Sequence, residues 1–230
     1  MKSRPLDLDA FLAELGAWAE ERDPGFETLA YGDDADQVVD VRRGGDRNAI
    51  LVHGGFWRPA FTRASTHALA VDLALRGWTT WNVEYRRTGL DDTLADIDAA
   101  LDATGPGVAI GHSAGGHLAL LAAGTAKIET AVSLAGVTDL ARAAREGIGA
   151  NAAVEFAGAE PPAHADPMRL PPPAIPVLLA HGTEDDRVPF DYSRSYARAT
   201  GAGLLELKGA GHFEVIDPRT PEWARILDKL

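Results

Sequence analysis

The sequence predicts an α/β fold, in which a mostly parallel central sheet carries helices on both faces. Two observations predict it. Short, continuous apolar runs recur along the 230-residue chain, as is typical of strands that are buried on both faces. Helix-like segments separate most of these runs, so that successive strands can lie parallel within one sheet. The chain length suits a single domain, which we expect to span residues 1–230.

The elements follow one another in a regular order. Residues 6–21 predict an amphipathic helix, because apolar side chains recur there at helical spacing. Two short strands are predicted at 26–31 and 37–42, separated by a turn at Gly32-Asp33-Asp34. The apolar runs that predict the remaining strands are 49–53, 78–83, 108–111, 128–134, 177–180 and 204–207. The helices predicted between and after them are 64–75, 92–103, 114–123, 190–199 and 221–230. In such sheets, ligands bind at the carboxyl ends of the strands.

Residues 138–173 interrupt this alternation of strands and helices. They begin with a helix-like piece and continue with three glycines and six prolines. Because glycine and proline both disfavour the interior of a helix, this composition predicts irregular structure. We expect a short, cap-like excursion from the core that contains one or two helices and a loop.

The composition limits the classes of partner. Lys and Arg total 22 against 34 for Asp and Glu, and the formal net charge of −12 argues against nucleic acid and anionic membrane surfaces. The absence of cysteine excludes disulfides, thiolate metal sites and a cysteine nucleophile. No run approaches the roughly 20 apolar residues that span a bilayer, and residues 1–9 lack the apolar region of a signal peptide. We therefore expect a soluble cytoplasmic protein.

The candidate nucleophile lies in the run Gly111-His112-Ser113-Ala114-Gly115, which has the form G-x-S-x-G. An apolar strand precedes this run and a helix follows it. A chain that turns directly from strand to helix holds its apex residue in a strained conformation, and flanking glycines let the two elements approach closely. We predict that Ser113 projects above the sheet as a nucleophile. A purely structural Ser-Gly turn is the alternative.

An oxyanion-binding loop is predicted where residues 49–57 run from a buried strand into the pair Gly54-Gly55. Acyl transfer needs N–H donors aimed at one point, and a glycine pair lets the backbone fold tightly enough to aim them. We expect these donors to be the backbone N–H groups of Gly55 or Phe56, together with that of Ala114.

Two further loops carry a candidate acid and a candidate base. His212 lies in a glycine-flanked loop after the last predicted strand, and imidazole exchanges protons near neutral pH. Asp185 follows the strand at 177–180, where a buried carboxylate would orient the imidazole and stabilise its charged form. Asp139 and Asp186 are competing candidates for the acid.

Side chains near these loops are the expected walls of a substrate pocket. The aromatic candidates are Phe56, Trp57, Phe156, Phe190 and Tyr192. His112, which precedes the candidate nucleophile, is also expected at the pocket, and packing beneath the loop is its alternative role. His53 and His181 are expected to brace their loops.

Several motifs together resemble the α/β-hydrolase superfamily from about Ala49 to the C-terminus. They are His53-Gly-Gly-Phe-Trp, Asn82-Val-Glu-Tyr-Arg-Arg, Gly111-His-Ser-Ala-Gly-Gly-His-Leu-Ala, His181-Gly-Thr-Glu-Asp and Gly211-His212. Within the superfamily, the likeness is to small esterase/lipase-like enzymes and to the arylformamidase (kynurenine formamidase) group, which similarly carries a His-Gly-Gly-aromatic-Trp loop. The resemblance implies the α/β-hydrolase fold and a catalytic triad of Ser113, Asp185 and His212, in the chain order expected of that fold.

The expected function is that of a carboxylesterase-like serine hydrolase, which cleaves an ester of a small or aromatic substrate through an acyl-enzyme. Hydrolysis of an amide, as by an arylformamidase, is one alternative, and a non-catalytic binding protein on the same fold is another. No phosphate loop, dinucleotide motif or H-E-x-x-H motif is present, so we expect neither a nucleotide cofactor nor a metal. A monomer and a homodimer remain open alternatives.

Overall fold

The computed structural model describes residues 7–230, in which eight strands form one sheet between layers of helices. The strands are β1 (Glu27–Ala30), β2 (Val38–Arg42), β3 (Asn48–Val52), β4 (Thr79–Val83), β5 (Val108–His112), β6 (Thr130–Leu134), β7 (Val177–Gly182) and β8 (Gly203–Leu207). The helices are α1 (Leu8–Arg22), α2 (His67–Leu75), α3 (Leu90–Thr104), α4 (Ala114–Ala122), α5 (Leu140–Glu146), α6 (Ile148–Ala157), α7 (Asp191–Thr200) and α8 (Pro221–Leu227). The predicted start of the first helix, at Leu6, lies outside the described residues.

The strand order is β1-β2-β4-β3-β5-β6-β7-β8. Strands β3 to β8 pair in parallel, whereas β2 pairs antiparallel with both β1 and β4. This arrangement confirms the predicted, mostly parallel α/β sheet. Because β3, β5, β7 and β8 all point the same way, the loops that carry the candidate site leave the sheet at one edge.

The core lies on both faces of the sheet. In β3, Ile50 and Val52 belong to one buried cluster, and Ala49 and Leu51 belong to the cluster on the opposite face. Successive side chains of a strand point to opposite faces, so a strand covered on both sides is apolar at every position. This explains the continuous apolar run in the sequence. None of the helices within residues 7–230 has the length and apolarity needed to cross a membrane.

The segment 138–173 contains α5, α6 and two short 3₁₀ turns. Residues 149–151 within α6 have left-handed backbone angles, so the chain kinks there. The buried Asp166 carboxylate accepts the backbone N–H groups of Leu140 and Ala141 at 3.0 and 3.1 Å, which ties the two ends of the segment together. Its organisation as a cap-like excursion on a single domain stays a prediction.

Candidate active site

Ser113 occupies a strained turn between β5 and α4, with φ 55° and ψ −116°. A non-glycine residue in such a conformation costs about 1–3 kcal/mol, which the surrounding packing must offset. The flanking glycines are required sterically. A Cβ atom on Gly111 would lie 1.9 Å from the carbonyl oxygen of Gly115, and one on Gly115 would lie 2.0 Å from the carbonyl oxygen of Val52. The spacing of the two glycines therefore fits the close contact between β5 and α4 that exposes Ser113 at the turn.

Asp185 lies in the loop after β7 and accepts three hydrogen bonds, while His181, which donates from Nε2 to the Val188 carbonyl oxygen at 2.9 Å, lies beside it. Its Oδ1 atom accepts the backbone N–H groups of Arg187 and Val188, each at 2.8 Å. Its Oδ2 atom lies 2.7 Å from Nδ1 of His212 and 3.1 Å from Nε2 of His181. Burial alone would raise the pKa of Asp185, but the interactions with the two histidines outweigh it and hold the pKa well below the usual range. The carboxylate is therefore ionised at neutral pH.

His212 follows β8 and is buried beside Asp185. Because the carboxylate can only accept, Nδ1 of His212 carries the proton and Nε2 keeps a free lone pair in the neutral ring. His212 and Ser113 line the same cavity. Within residues 7–230 no hydrogen bond joins their side chains, and contacts of this kind often tighten only when substrate is bound. The arrangement gives a hydroxyl, an imidazole and an oriented carboxylate at one edge of the sheet.

His112 connects the turn at Ser113 with the loop of His212. Its Nε2 atom lies 3.0 Å from the backbone carbonyl oxygen of His212, and the two rings are 4.7 Å apart. Burial and the nearby His212 lower the pKa of His112 to about 3, so the ring is neutral and donates this hydrogen bond. His112 also lines the cavity, where the sequence analysis expected it.

The loop after β3 lies opposite Ser113. Gly54, Gly55 and Phe56 line the cavity, and a Cβ atom on Gly54 would lie only 3.0 Å from the Cβ atom of Ser113. Gly55 and Phe56 have φ values of 108° and 55°. Ala114 begins α4, and the first N–H groups of a helix have no acceptor within the helix. The predicted donors are the backbone N–H groups of Gly55, Phe56 and Ala114. They thus belong to the loop after β3 and to the start of α4, which both lie next to Ser113.

His53 braces this loop, as expected. Its Nδ1 atom lies 2.7 Å from the carbonyl oxygen of Gly54, and its Nε2 atom lies 2.9 Å from the buried carboxylate of Glu84. The hydroxyl of Tyr85 donates to the carbonyl oxygen of His53 at 2.8 Å. Because the peptide unit is planar, fixing the Gly54 carbonyl also fixes the direction of the Gly55 N–H group.

The cavity beside Ser113 is small, with a volume of about 40 Å³. Its walls are mainly apolar and include Leu8, Leu12, Phe61, Phe213 and Ile216. Leu8 and Leu12 of α1 were not predicted to line the site. The apolar stripe of this helix predicts burial, but it does not reveal that the first turns of the helix pack over the cavity, with the Phe11 ring 5.8 Å from that of Phe213.

Four of the five aromatic residues expected at the pocket do not line the cavity beside Ser113. Trp57 is buried and stacks on Phe156, with ring centroids 4.7 Å apart, and neither residue lines the cavity beside Ser113. Phe190 packs edge-on against His181 at 5.8 Å. Trp57 has a left-handed backbone (φ 55°), and its side chain packs in the core beneath α6 rather than beside Ser113. Tyr192 is also buried away from the cavity, and its hydroxyl donates to Glu146.

The competing acids have other partners. Asp139 caps the start of α5, where its side chain accepts the backbone N–H group of Arg142 at 2.8 Å. The side chain of Asp186 is 78% exposed and forms an ion pair with Arg187. Among the three candidates, Asp185 is the carboxylate hydrogen bonded to His212.

Comparisons with known proteins agree with this architecture. The model of a family described as the alpha/beta hydrolase family matches residues 49–173. A search of curated protein sequences finds no match.

Among solved structures, the native esterase Est2 of the planctomycete Thermogutta terrifontis is similar, with a TM-score of 0.72, 22% identity and 90% of each chain covered. The same esterase has been solved with propionate bound, with a TM-score of 0.72, 22% identity and coverage of 90% of this chain and 92% of that one. A candidate thioesterase from a Silicibacter species has a TM-score of 0.76 and 22% identity, over 98% of this chain and 95% of that one. At these identities the likeness concerns the fold.

Proposed function

The chain belongs to the alpha/beta hydrolase family, and from this premise we propose that it is a serine hydrolase that cleaves a carboxylic ester through an acyl-enzyme. The observation that carries the proposal is the buried hydrogen bond of 2.7 Å between Asp185 and His212 at the cavity that Ser113 lines. The resemblance to arylformamidases stays a prediction.

The reaction has two halves, which use the same groups. Ser113 Oγ attacks the ester carbonyl carbon while Nε2 of His212 takes the hydroxyl proton, and the charged ring is stabilised by Asp185. The negative charge that develops on the carbonyl oxygen is bound by backbone N–H groups of the Gly55–Phe56 segment and of Ala114. The carbon–oxygen bond to the alcohol then breaks, and the alcohol leaves with the proton from His212. Water attacks the acyl-enzyme in the same way and releases the acid.

The shape of the cavity favours a short acyl group. A volume of about 40 Å³ with an apolar wall suits a few methylene groups rather than a long lipid chain. The propionate complex of the similar Thermogutta esterase supports this choice of acid.

Labelling with a fluorophosphonate tests the proposed function directly. We expect one adduct on Ser113 in the folded protein, because the reagent phosphonylates a serine that a nearby base activates. The site is mapped by mass spectrometry of peptides. The Thermogutta esterase has also been solved phosphonylated by sarin, which supports the choice of reagent.

Ser65 offers a matched control, because its side chain lines the same cavity. Labelling should persist in Ser65→Ala and disappear in Ser113→Ala. A folded protein that forms no adduct, or forms it on Ser65, would contradict the proposal and favour a non-catalytic binding role. An N-formyl aryl amide assayed beside short esters tests the arylformamidase alternative.

The side chains of α1 that line the cavity lead to a prediction about the length of the acyl chain of the substrate. Leu12 is half-buried and lines the cavity, so Leu12→Ala should make room for a longer acyl chain. We expect the ratio of kcat/KM for a hexanoyl ester to that for an acetyl ester to rise about tenfold, since each methylene group in an apolar pocket contributes roughly 1–3 kcal/mol. Initial rates with a series of nitrophenyl esters measure this ratio.

Leu15 is the control on the same helix. It is buried against Ala68 and Val71 of α2, away from the cavity. Leu15→Ala should lower the free energy of unfolding by roughly 2–5 kcal/mol and leave the chain-length ratio unchanged. The wall assigned to Leu12 is refuted if both variants change the ratio equally, or if neither does.

A further inference from the structure

The lining of the largely apolar cavity includes the charged residue Arg187. Among the described residues that line it, Arg187 is the one with a permanent charge. The other polar side chains of the lining are hydroxyl groups and imidazoles, and His112 is neutral because burial lowers its pKa. Arg187 therefore places a positively charged group at the cavity wall, although the whole chain carries a formal charge of −12.

The position of Arg187 is fixed relative to the reacting groups. Its backbone N–H group donates to Oδ1 of Asp185 at 2.8 Å, and Oδ2 of the same carboxylate binds His212. The next residue, Val188, donates to the same oxygen and is fully buried. The main chain is thus held by the acid, and Arg187 lines the cavity with a side chain that is 41% exposed.

The guanidinium of Arg187 has N–H donors that are available to bind a ligand. Within residues 7–230 it donates no hydrogen bond. It forms an ion pair with the exposed Asp186, whose Oδ1 atom lies 3.4 Å from Nε of Arg187. An exposed pair of this kind contributes little to stability and can be replaced by another anion. In contrast, Arg42 and Arg63 each hold a carboxylate through two hydrogen bonds.

The chemistry of a free guanidinium points to its ligand. Its planar fork of N–H donors matches a carboxylate, which it can bind in a bidentate way. The net negative charge of the chain offers no general attraction for anions, so any preference for them must come from a local contact.

We propose that the cavity selects esters that carry a carboxylate a few bonds from the scissile carbonyl, and that Arg187 binds this carboxylate. The inference rests on the proposed function and names its substrate class. The carboxylate can belong to the acyl group or to the leaving alcohol, and two matched substrate pairs distinguish these sources.

The first pair is monoethyl succinate and its neutral isostere, ethyl succinamate, which differ on the acyl side. The second pair is para-acetoxybenzoate and para-acetoxybenzamide, which differ on the leaving-group side. Acid release is followed by pH-stat titration, and the measured quantity is the ratio of kcat/KM for the carboxylate to that for the carboxamide. Arg187→Gln should lower this ratio about tenfold in one pair, because the variant loses a charge-assisted hydrogen bond that solvent exposure weakens. Arg187→Lys should restore part of the ratio.

Arg198 provides the control, because it is exposed on α7, away from the cavity, and carries the same charge. Arg198→Gln should leave both ratios unchanged, which separates a local contact from an effect of net charge. Equal ratios in the wild type and Arg187→Gln for both pairs overturn the proposal.

A binding measurement separates this inference from the proposed function. Ser113→Ala should bind para-acetoxybenzoate or monoethyl succinate more tightly than the matching carboxamide by calorimetry, and adding Arg187→Gln should remove the difference. If the wild type hydrolyses none of the four esters, the proposed function fails, and this binding difference still supports or overturns the role of Arg187.

Discussion

Replacing Ser113 by alanine is expected to lower kcat for a short ester by about 10⁴- to 10⁶-fold and to leave the fold intact. The hydroxyl is the atom that forms the covalent bond to the acyl group, so the remaining donors can only polarise the substrate. The backbone strain at this position is the same for serine and alanine, because both carry a Cβ atom. Steady-state rates and the thermal unfolding midpoint measure the two parts of the expectation.

Ser133 is a control of the same chemical kind. It is fully buried in β6, and within residues 7–230 its hydroxyl has no hydrogen-bond partner. Ser133→Ala removes a buried hydroxyl from the sheet beside the turn, and the activity should stay within about twofold of the wild type. Turnover by folded Ser113→Ala at a rate near that of the wild type would show that another group is the nucleophile.

Asp185→Asn should lower kcat by about 10⁴-fold. The variant keeps a side-chain oxygen that can accept the backbone N–H groups of Arg187 and Val188, so the loop should retain its shape. What changes is the group that faces His212. An amide does not stabilise the imidazolium, and its NH₂ group favours the tautomer that places the proton on Nε2, where it cannot take the proton of Ser113.

Asp186→Asn and Asp139→Asn are the controls, since they remove the same charge from the competing acids. Both should keep kcat within about twofold of the wild type, because Asp186 is exposed and Asp139 caps α5. Asparagine is itself a good N-cap, so the second variant should also keep its stability. A large loss of kcat in either control, with Asp185→Asn active, would assign the acid to a different carboxylate.

The sequence predicted the positions of the three candidate catalytic side chains because each depends on local chemistry. Ser113 lies between glycines that a tight strand-to-helix turn requires, because a Cβ atom at Gly111 or Gly115 would clash with a backbone carbonyl oxygen. Asp185 and His212 each follow an apolar strand, and parallel strands bring such loops to one edge. At that edge the two side chains form their hydrogen bond of 2.7 Å.

The walls of the cavity could not be predicted in the same way, because they depend on tertiary packing. The direction of the Trp57 side chain depends on the left-handed backbone at Phe56 and Trp57, a conformation that their residue types disfavour. Leu8 and Leu12 belong to a helix far from the other site residues in sequence, and its docking over the cavity is set by α2. The side chains expected to determine substrate choice are therefore the hardest to predict from sequence.

The hydrogen bond from His112 to the main chain of His212 joins segments that are 100 positions apart in sequence. A proton transfer between Ser113 and His212 loses much of its rate when the two atoms drift apart by even about 1 Å. The link fastens the loop of His212 to the residue that precedes Ser113. We therefore expect this hydrogen bond to limit changes in the distance between Ser113 and His212.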